Sequence, residues 1–266
     1  MDTRTTLPKD MLLLDVGGTF IKCSDGRSVP VDSNGTQEEI TASFRQAVWG
    51  GEQEYSRLRV AIPGPFRYAA GQFLMKHKYA GVYGEYFADL VGLPRENCRF
   101  VHDVNCMLLG AMTPGSGNTA LAALGTGLGF AMYVDGQLLE NELGSPAVSI
   151  FNRPFGDGIL EDYVSKRGIV GRYGDHSLTV KEIARRADAG DSRALRVFEE
   201  TGTILGTVIR PLLQEHGVQT LLLGGQISRS SHLFAPALKA CLPPDISVGP
   251  ISDFDNATFN GLLALK

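Results

Sequence analysis

The sequence predicts an α/β protein. Apolar strand-like runs alternate with helix-patterned segments along the chain, and three of those runs, ending near Leu14, Leu124 and Leu223, break at closely spaced glycines. The opening design also recurs: "TALAALGTGLGFAMYVDGQLL" at 119–139 repeats the strand, glycine and threonine turn and returning strand of "MLLLDVGGTFIK" at 11–22. With 266 residues, 43% apolar and 20% charged, the chain can bury one large core or two modest ones.

Taken in order, Leu12–Leu14 read as a buried strand, with Phe20–Cys23 returning across the Gly17-Gly18 turn. Thr36 and Glu39 form a capping-box pattern and Gly50 is a stop, so the spacing predicts a helix over 37–49. The segment 58–66, "LRVAIPGPF", is a strand running into a Pro-Gly-Pro loop, and 84–94 has the pattern of a short helix ended by glycine and proline. A strand at 99–103 delivers Asp103 to a helix over Val104–Met112, and the polar 113–118 segment marks a boundary. Asp135-Gly136 is a hairpin signal. Residues 156–217 are mainly helical by period, with Thr179 and Glu182 as a second capping box, Asp191 as an N-cap, Gly217 as a stop and Pro211 expected to kink the last helix. A third buried strand at 218–228 breaks at Gly224-Gly225, and "NATFNGLLALK" closes the chain as a helix.

Several function classes are excluded by composition. A formal charge of −4 disfavours general binding to nucleic acid, and "KHK" at 76–78 is too short to reverse it. No apolar run reaches the length of a membrane span. The N-terminal "MDTRTTLPKD" lacks the apolar centre of an export signal, so a cytoplasmic protein is expected. Cys23, Cys98, Cys106 and Cys241 form no CxxC pair and have no nearby histidine cluster, which points to reduced thiols.

Glycines at strand ends let backbone N–H groups approach a phosphate closely, and Thr19 and Thr126 add hydroxyl donors. Asp15 would repel that phosphate unless a cation sat between them; Mg²⁺, which binds through one carboxylate, waters and phosphate oxygens, reconciles the two. Neither a GxxxxGK[ST] loop nor a GxGxxG turn is present, and spacing alone leaves open whether these are simply tight hairpins.

Five segments in order resemble one family. "LLLDVGGTFIK" resembles the first phosphate motif of the ROK sugar kinases, a branch of the superfamily of hexokinase and actin; "LAALGTGLGFAMYVDGQLL" is similar to their second phosphate motif and "LLLGGQIS" to their adenosine motif. Between them, "VAIPGPF" resembles the family's sugar loop and "FVHDVNCMLLGA" the stretch that carries its catalytic aspartate. The resemblance implies a two-lobed actin-like ATPase fold (ribonuclease H-like) with an interlobe cleft, a first lobe of 1–104 plus 253–266 and a second of 105–252. It implies ATP and Mg²⁺ as cofactors, a small-molecule sugar as partner and, as is common in the family, a homodimer. It places Asp103 as the base and Asp15, Gly17, Gly18, Thr19, Lys22, Thr126, Gly127, Gly224 and Gly225 around the nucleotide, with Asp15 on the metal through water. Gly64, His102, Asp103, Glu142 and Glu161 fall at its sugar-binding positions.

The pattern also departs from the family. Ser145 replaces a histidine that binds sugar and zinc, Ile159 stands where a zinc cysteine would, and the cysteine-rich loop is missing, so no structural zinc is expected. His102 and Lys78 stand in place of asparagines, which changes the hydrogen-bond roles around the ligand. The sequence therefore implies a kinase for a hexose or hexose derivative. Alternative readings are a catalytically impaired carbohydrate sensor or regulatory subunit, or an ATPase of the superfamily with a non-sugar substrate. Only ten residues precede Met11, too few for the helix-turn-helix of the family's repressors.

Overall fold

The computed structural model describes residues 7–113 and 115–265. The N-terminal stretch, expected to lack an export signal, falls largely on residues 1–6, outside the described residues, as do position 114 of the boundary segment and position 266. The chain divides into two compact units: one holds the residues up to Gly110, Glu140–Ser145 and those from Asn256 on, the other Ala111–Leu139 and Pro146–Asp255.

The first unit is built on a five-stranded sheet, β1 (Met11–Val16), β2 (Phe20–Cys23), β3 (Ser28–Pro30), β4 (Arg57–Ile62) and β7 (Cys98–His102), with a small ribbon of β5 (Phe66–Arg67) and β6 (Gln72–Phe73) after β4. The order is β3-β2-β1-β4-β7; β2 and β3 are antiparallel, while β1, β4 and β7 run parallel. Alternation along β1 assigns its faces. Leu12, Leu14 and Val16 join Val60 and Phe44 on one side, and Met11 and Leu13 join Ala61, Val101, Cys106 and Leu262 on the other. Asp15 follows Met11 and Leu13 in this register.

Helix α1 (Gln37–Trp49) starts at the expected capping box: the Glu39 amide donates to Thr36 Oγ1 at 3.3 Å and the Thr36 amide donates to Glu39 Oε2 at 2.8 Å. Its Phe44 packs on Phe73, Tyr79 and Phe87, so Tyr79 and Phe87 are core residues. The helix expected over 84–94 shrinks to α2 (Phe87–Val91), because Gly84 and Glu85 bond their backbones to Phe73 on the ribbon. The next helix, α3 (Asp103–Ala111), packs through Gly110 against the C-terminal helix, Ala257–Ala264, where a Cβ on Gly110 would lie 1.8 Å from the Ala257 carbonyl oxygen. That contact keeps α3 with the first unit, and the division falls after Gly110 instead of after 104.

The second unit repeats the plan. Its main sheet contains β8 (Thr119–Leu124), β9 (Leu128–Val134), β10 (Gln137–Leu138), β13 (Thr220–Gly224) and β14 (Ser247–Pro250), and a ribbon pairs β11 (Pro154–Phe155) with β12 (Gly158–Ile159). The order β10-β9-β8-β13-β14 matches the first sheet strand for strand, two antiparallel pairings followed by two parallel ones. The sequence repeat is thus a repeat of sheet topology. Asp135 and Gly136 take φ of 51° and 85°, the left-handed pair that a two-residue hairpin needs.

Helices α4 (Leu160–Val164), α5 (Lys166–Tyr173), α6 (Val180–Asp188), α7 (Ser192–Glu215) and α8 (Ala235–Ala240) complete this unit. Thr179 caps α6 and Asp191 caps α7 as expected. Pro211, expected to kink α7, is passed without a break; Ile209, Leu212 and Leu213, buried on both sides of it, hold the helix against the core. Among the described residues no helix is long and apolar enough to cross a membrane.

Candidate active site

Parallel strands place their C-terminal ends at one edge of a sheet, where ligands gather in α/β folds. In the first unit β1 opens there into Gly17-Gly18, β4 into Pro63-Gly64-Pro65, and β7 into Asp103, so the topology brings three of the expected segments together.

The strand ends at His102 and Asp103 is already helical, its Oδ1 accepting from the Val104 amide at 2.7 Å. His102 Nδ1 lies 2.8 Å from the same oxygen. Burial pushes the Asp103 carboxyl up, but the His102 charge and hydrogen bond, the Val104 amide and the Lys78 charge outweigh it, and the group sits below its ordinary range. Asp15 goes the other way. Loss of solvent, then the Asp103 charge, push it up to about 6 against the pull of Lys22, its cross-strand neighbour. Two acids that oppose each other's ionisation are relieved by a cation, and a lone carboxylate that leaves positions for water and phosphate oxygen suits Mg²⁺, so the residues fit that ion at Asp15.

Around these acids the backbone is close-set. A Cβ on Gly64 would lie 3.3 Å from both Ser145 Oγ and Tyr68 Oη and 3.5 Å from His102 Cδ2. The Tyr68 hydroxyl donates to the Ile62 carbonyl at 3.0 Å. Gly64, His102, Asp103 and Ser145 therefore belong to one neighbourhood. Glu142 lines a cavity of 790 Å³ along β7, with Tyr68, Arg95, Arg99 and Glu140. Sequence reasoning missed Asn105 and Glu140: the buried Asn105 amide donates to Glu140 Oε1 at 2.9 Å, and burial raises that carboxyl. An asparagine inside an apolar helix was the available signal for the first; Glu140 had none.

At the first glycine turn the Gly17 amide donates to the Phe20 carbonyl at 2.9 Å, and neither Gly17 nor Gly18 takes a positive φ. A Cβ on Gly17 would press on the Phe20 carbonyl oxygen at 3.0 Å, whereas one on Gly18 would meet Ser33 Oγ at 3.5 Å. Thr19 stands exposed at the turn, and Lys22 lies on β2 opposite Asp15.

In the second unit, β8 and β13 pair in parallel with Ala123 beside Gly224, so the turns after Leu124 and Leu223 are neighbours. Gly225 has φ of 77°, and a Cβ there would lie 2.3 Å from the Leu124 carbonyl oxygen. Thr126 is exposed in the turn, where the Gly125 amide donates to the Gly127 carbonyl at 3.0 Å. Glu161, expected at the sugar, engages this turn: its Oε2 accepts from the Leu128 amide at 2.8 Å, close over Gly127, and its Oε1 pairs with Arg167 at 3.0 Å. Among the described residues no group of three or more His, Cys, Asp or Glu side chains is placed to hold a metal ion.

The model of the ROK family matches residues 29–250. A curated relative, the N-acetylglucosamine repressor of Escherichia coli O157:H7, is 30% identical over 77 residues, which span 29% of this chain and 19% of the relative's length. The fold is that of solved ROK structures. A ROK family glucokinase from Streptomyces griseus, in complex with glucose and AMPPNP, superposes with a TM-score of 0.77 at 19% identity, covering 95% of this chain and 97% of that one. A ROK family protein from Streptococcus pneumoniae TIGR4 in complex with sucrose gives 0.76 at 20% identity, covering 95% and 96%.

Proposed function

Since the chain belongs to the ROK family, we propose that it is an ATP- and Mg²⁺-dependent kinase that phosphorylates a hydroxyl of a hexose or hexose derivative. The observation that carries this reading is Asp103: a carboxylate held ionised by its neighbours, at the start of a helix, beside a glycine turn and a second acid that suits a cation. In this role it orients the acceptor hydroxyl and takes its proton late in transfer, while alignment and charge stabilisation supply most of the acceleration. Gly64, His102 and Glu142 are proposed to contact the sugar, and Gly17, Gly18, Thr19 and Lys22 the phosphates. In the second unit Thr126, Gly127, Gly224 and Gly225 are proposed to hold the rest of the nucleotide, with Glu161 fixing their turn from behind. Bound at Asp15, Mg²⁺ supplies neutralisation of phosphate charge. The test is a sugar panel read as sugar-dependent ADP release by the purified protein; a blank across the whole panel removes the reading.

A carbohydrate sensor is the second reading, favoured by the repressor match and by His102 and Ser145, which change the polar contacts at Gly64 and Asp103. Calorimetry separates the two. A sensor binds a sugar from the panel without forming phosphorylated product.

The nucleotide half has its own expected result. Gly225→Ala puts a methyl group into the Leu124 carbonyl at a φ that alanine adopts at a cost of about 1 kcal/mol or more, so the two turns of the second unit must part. Affinity for AMPPNP in calorimetry should fall at least about tenfold, the effect of one lost charge-assisted contact. Unchanged affinity would place the nucleotide elsewhere.

A further inference from the structure

Tyr79 is a fully buried, non-glycine residue in the left-handed region, with φ of 53°. Such a conformation costs about 1 kcal/mol or more and persists only where its surroundings enforce it. Here they do: the Tyr79 hydroxyl donates to the carbonyl of Gly17, its amide donates to the carbonyl of Ser33, and its ring packs on Phe44 and Phe73. The Ser33 amide in turn donates to the Gly18 carbonyl at 3.4 Å. The loop before Tyr79 is thus tied to the first glycine turn from two sides, and the residue next to the tie is Lys78. Its side chain is exposed, yet Nζ lies 3.9 Å from where a Cβ on Gly18 would stand, with Ser33 Oγ at 3.5 Å from the same point.

The turn needs such a partner. Gly17 has given its N–H to Phe20, and the neighbouring strand ends present the acids Asp15 and Asp103, a field that repels a polyphosphate. Lys22 is held on β2 opposite Asp15. Lys78 stands over the turn itself, and its charge is felt at Asp103.

We propose that Lys78 is a catalytic residue that contacts the phosphoryl group in transfer, with Ser33 as a second donor, so that the loop anchored by Tyr79 adds a cation over the glycine turn to those proposed at Asp15 and Lys22. This rests on the kinase reading above. In the step, the acceptor hydroxyl oxygen bonds to the γ-phosphorus as that phosphorus parts from the oxygen bridging to the β-phosphate; ADP leaves with the electron pair, and the hydroxyl proton passes to the Asp103 carboxylate. Negative charge on the transferred group is offset by the ammonium of Lys78, which donates and never accepts.

The experiment compares AMPPNP and ADP binding by calorimetry in the wild type, Lys78→Met and Lys78→Arg, without sugar or turnover. The wild type should prefer AMPPNP; Lys78→Met should lose about tenfold or more of that preference while keeping its ADP affinity, and Lys78→Arg should restore much of it. In turnover with the sugar found by the panel, Lys78→Met should lower kcat with KM for the sugar unchanged. An unaltered preference for AMPPNP in Lys78→Met overturns the assignment and leaves the kinase reading standing. A Lys78→Met defect confined to KM for the sugar also overturns it, because the lysine would then serve the acceptor. A wild type that binds neither nucleotide overturns both.

Discussion

Asp103→Asn is expected to lower sugar-dependent ADP release by about a hundredfold to ten-thousandfold, the range of a general base removed from phosphoryl or acyl transfer. Asparagine keeps the shape and can still accept from the Val104 amide through Oδ1, so folding and nucleotide affinity should be retained while turnover falls. The pH dependence follows from the direction of the shift. Burial favours the protonated carboxyl, but His102, the Val104 amide and Lys78 together bring the group below its ordinary value of 3.8. A base with a depressed pKa is charged across the neutral range, and its contribution disappears only as pH falls through that lowered value. The acid side of the kcat profile should therefore stay flat from pH 7 to about 5 as far as Asp103 is concerned. Equal turnover by wild type and Asp103→Asn would remove Asp103 from the chemistry; a wild-type limb near pH 6 would assign the controlling group to another residue.

What the sequence disclosed and what it withheld differ in range along the chain. The capping box at Thr36, the Asp135-Gly136 hairpin and the glycine breaks after Leu14, Leu124 and Leu223 are local patterns, fixed by residues within a few positions of one another, and they were legible. The start of α3 was placed within one residue, since the strand-like Phe100-Val101 running into His-Asp before an apolar helix reads as a strand-to-helix junction. Contacts that join distant segments left no such mark. Nothing near Glu140 announces Asn105, nothing near Glu161 announces the amide of Leu128, and the left-handed Tyr79 follows two lysines and a histidine that suggest only a solvated loop. Neither Gly17 nor Gly18 takes a positive φ; a Cβ on Gly17 would press on the Phe20 carbonyl oxygen at 3.0 Å and one on Gly18 would face Ser33 and Lys78, neighbours that no local pattern announces.

The largest expected effect on stability lies away from any ligand, where α3 crosses the C-terminal helix. Gly110 and Gly261 face each other across that crossing. A Cβ on Gly110 would sit 1.8 Å from the Ala257 carbonyl oxygen and 2.4 Å from the Gly261 amide nitrogen, and one on Gly261 would sit 1.9 Å from the Cys106 carbonyl oxygen. These are backbone atoms, with no rotamer by which to step aside. Alanine would otherwise favour either helix by about 1 kcal/mol over glycine, so a destabilised Gly261→Ala measures the clash against a gain of known sign. Overpacking at a crossing that cannot relax costs about 3 kcal/mol, about 2 kcal/mol net of that gain, which for a chain of this size lowers Tm by about 4–8 °C. Gly171→Ala supplies the control: that residue lies in α5, a Cβ there meets nothing within 4 Å, and the substitution should leave Tm unchanged or slightly raised. The consequence reaches the proposed base because Asp103 is the first residue of the displaced helix. Gly261→Ala should therefore also lower kcat, while nucleotide affinity, proposed to rest in part on the second unit's glycine turns, should be retained. A Gly261→Ala protein that melts with Gly171→Ala would show that the crossing is looser than its two glycines require.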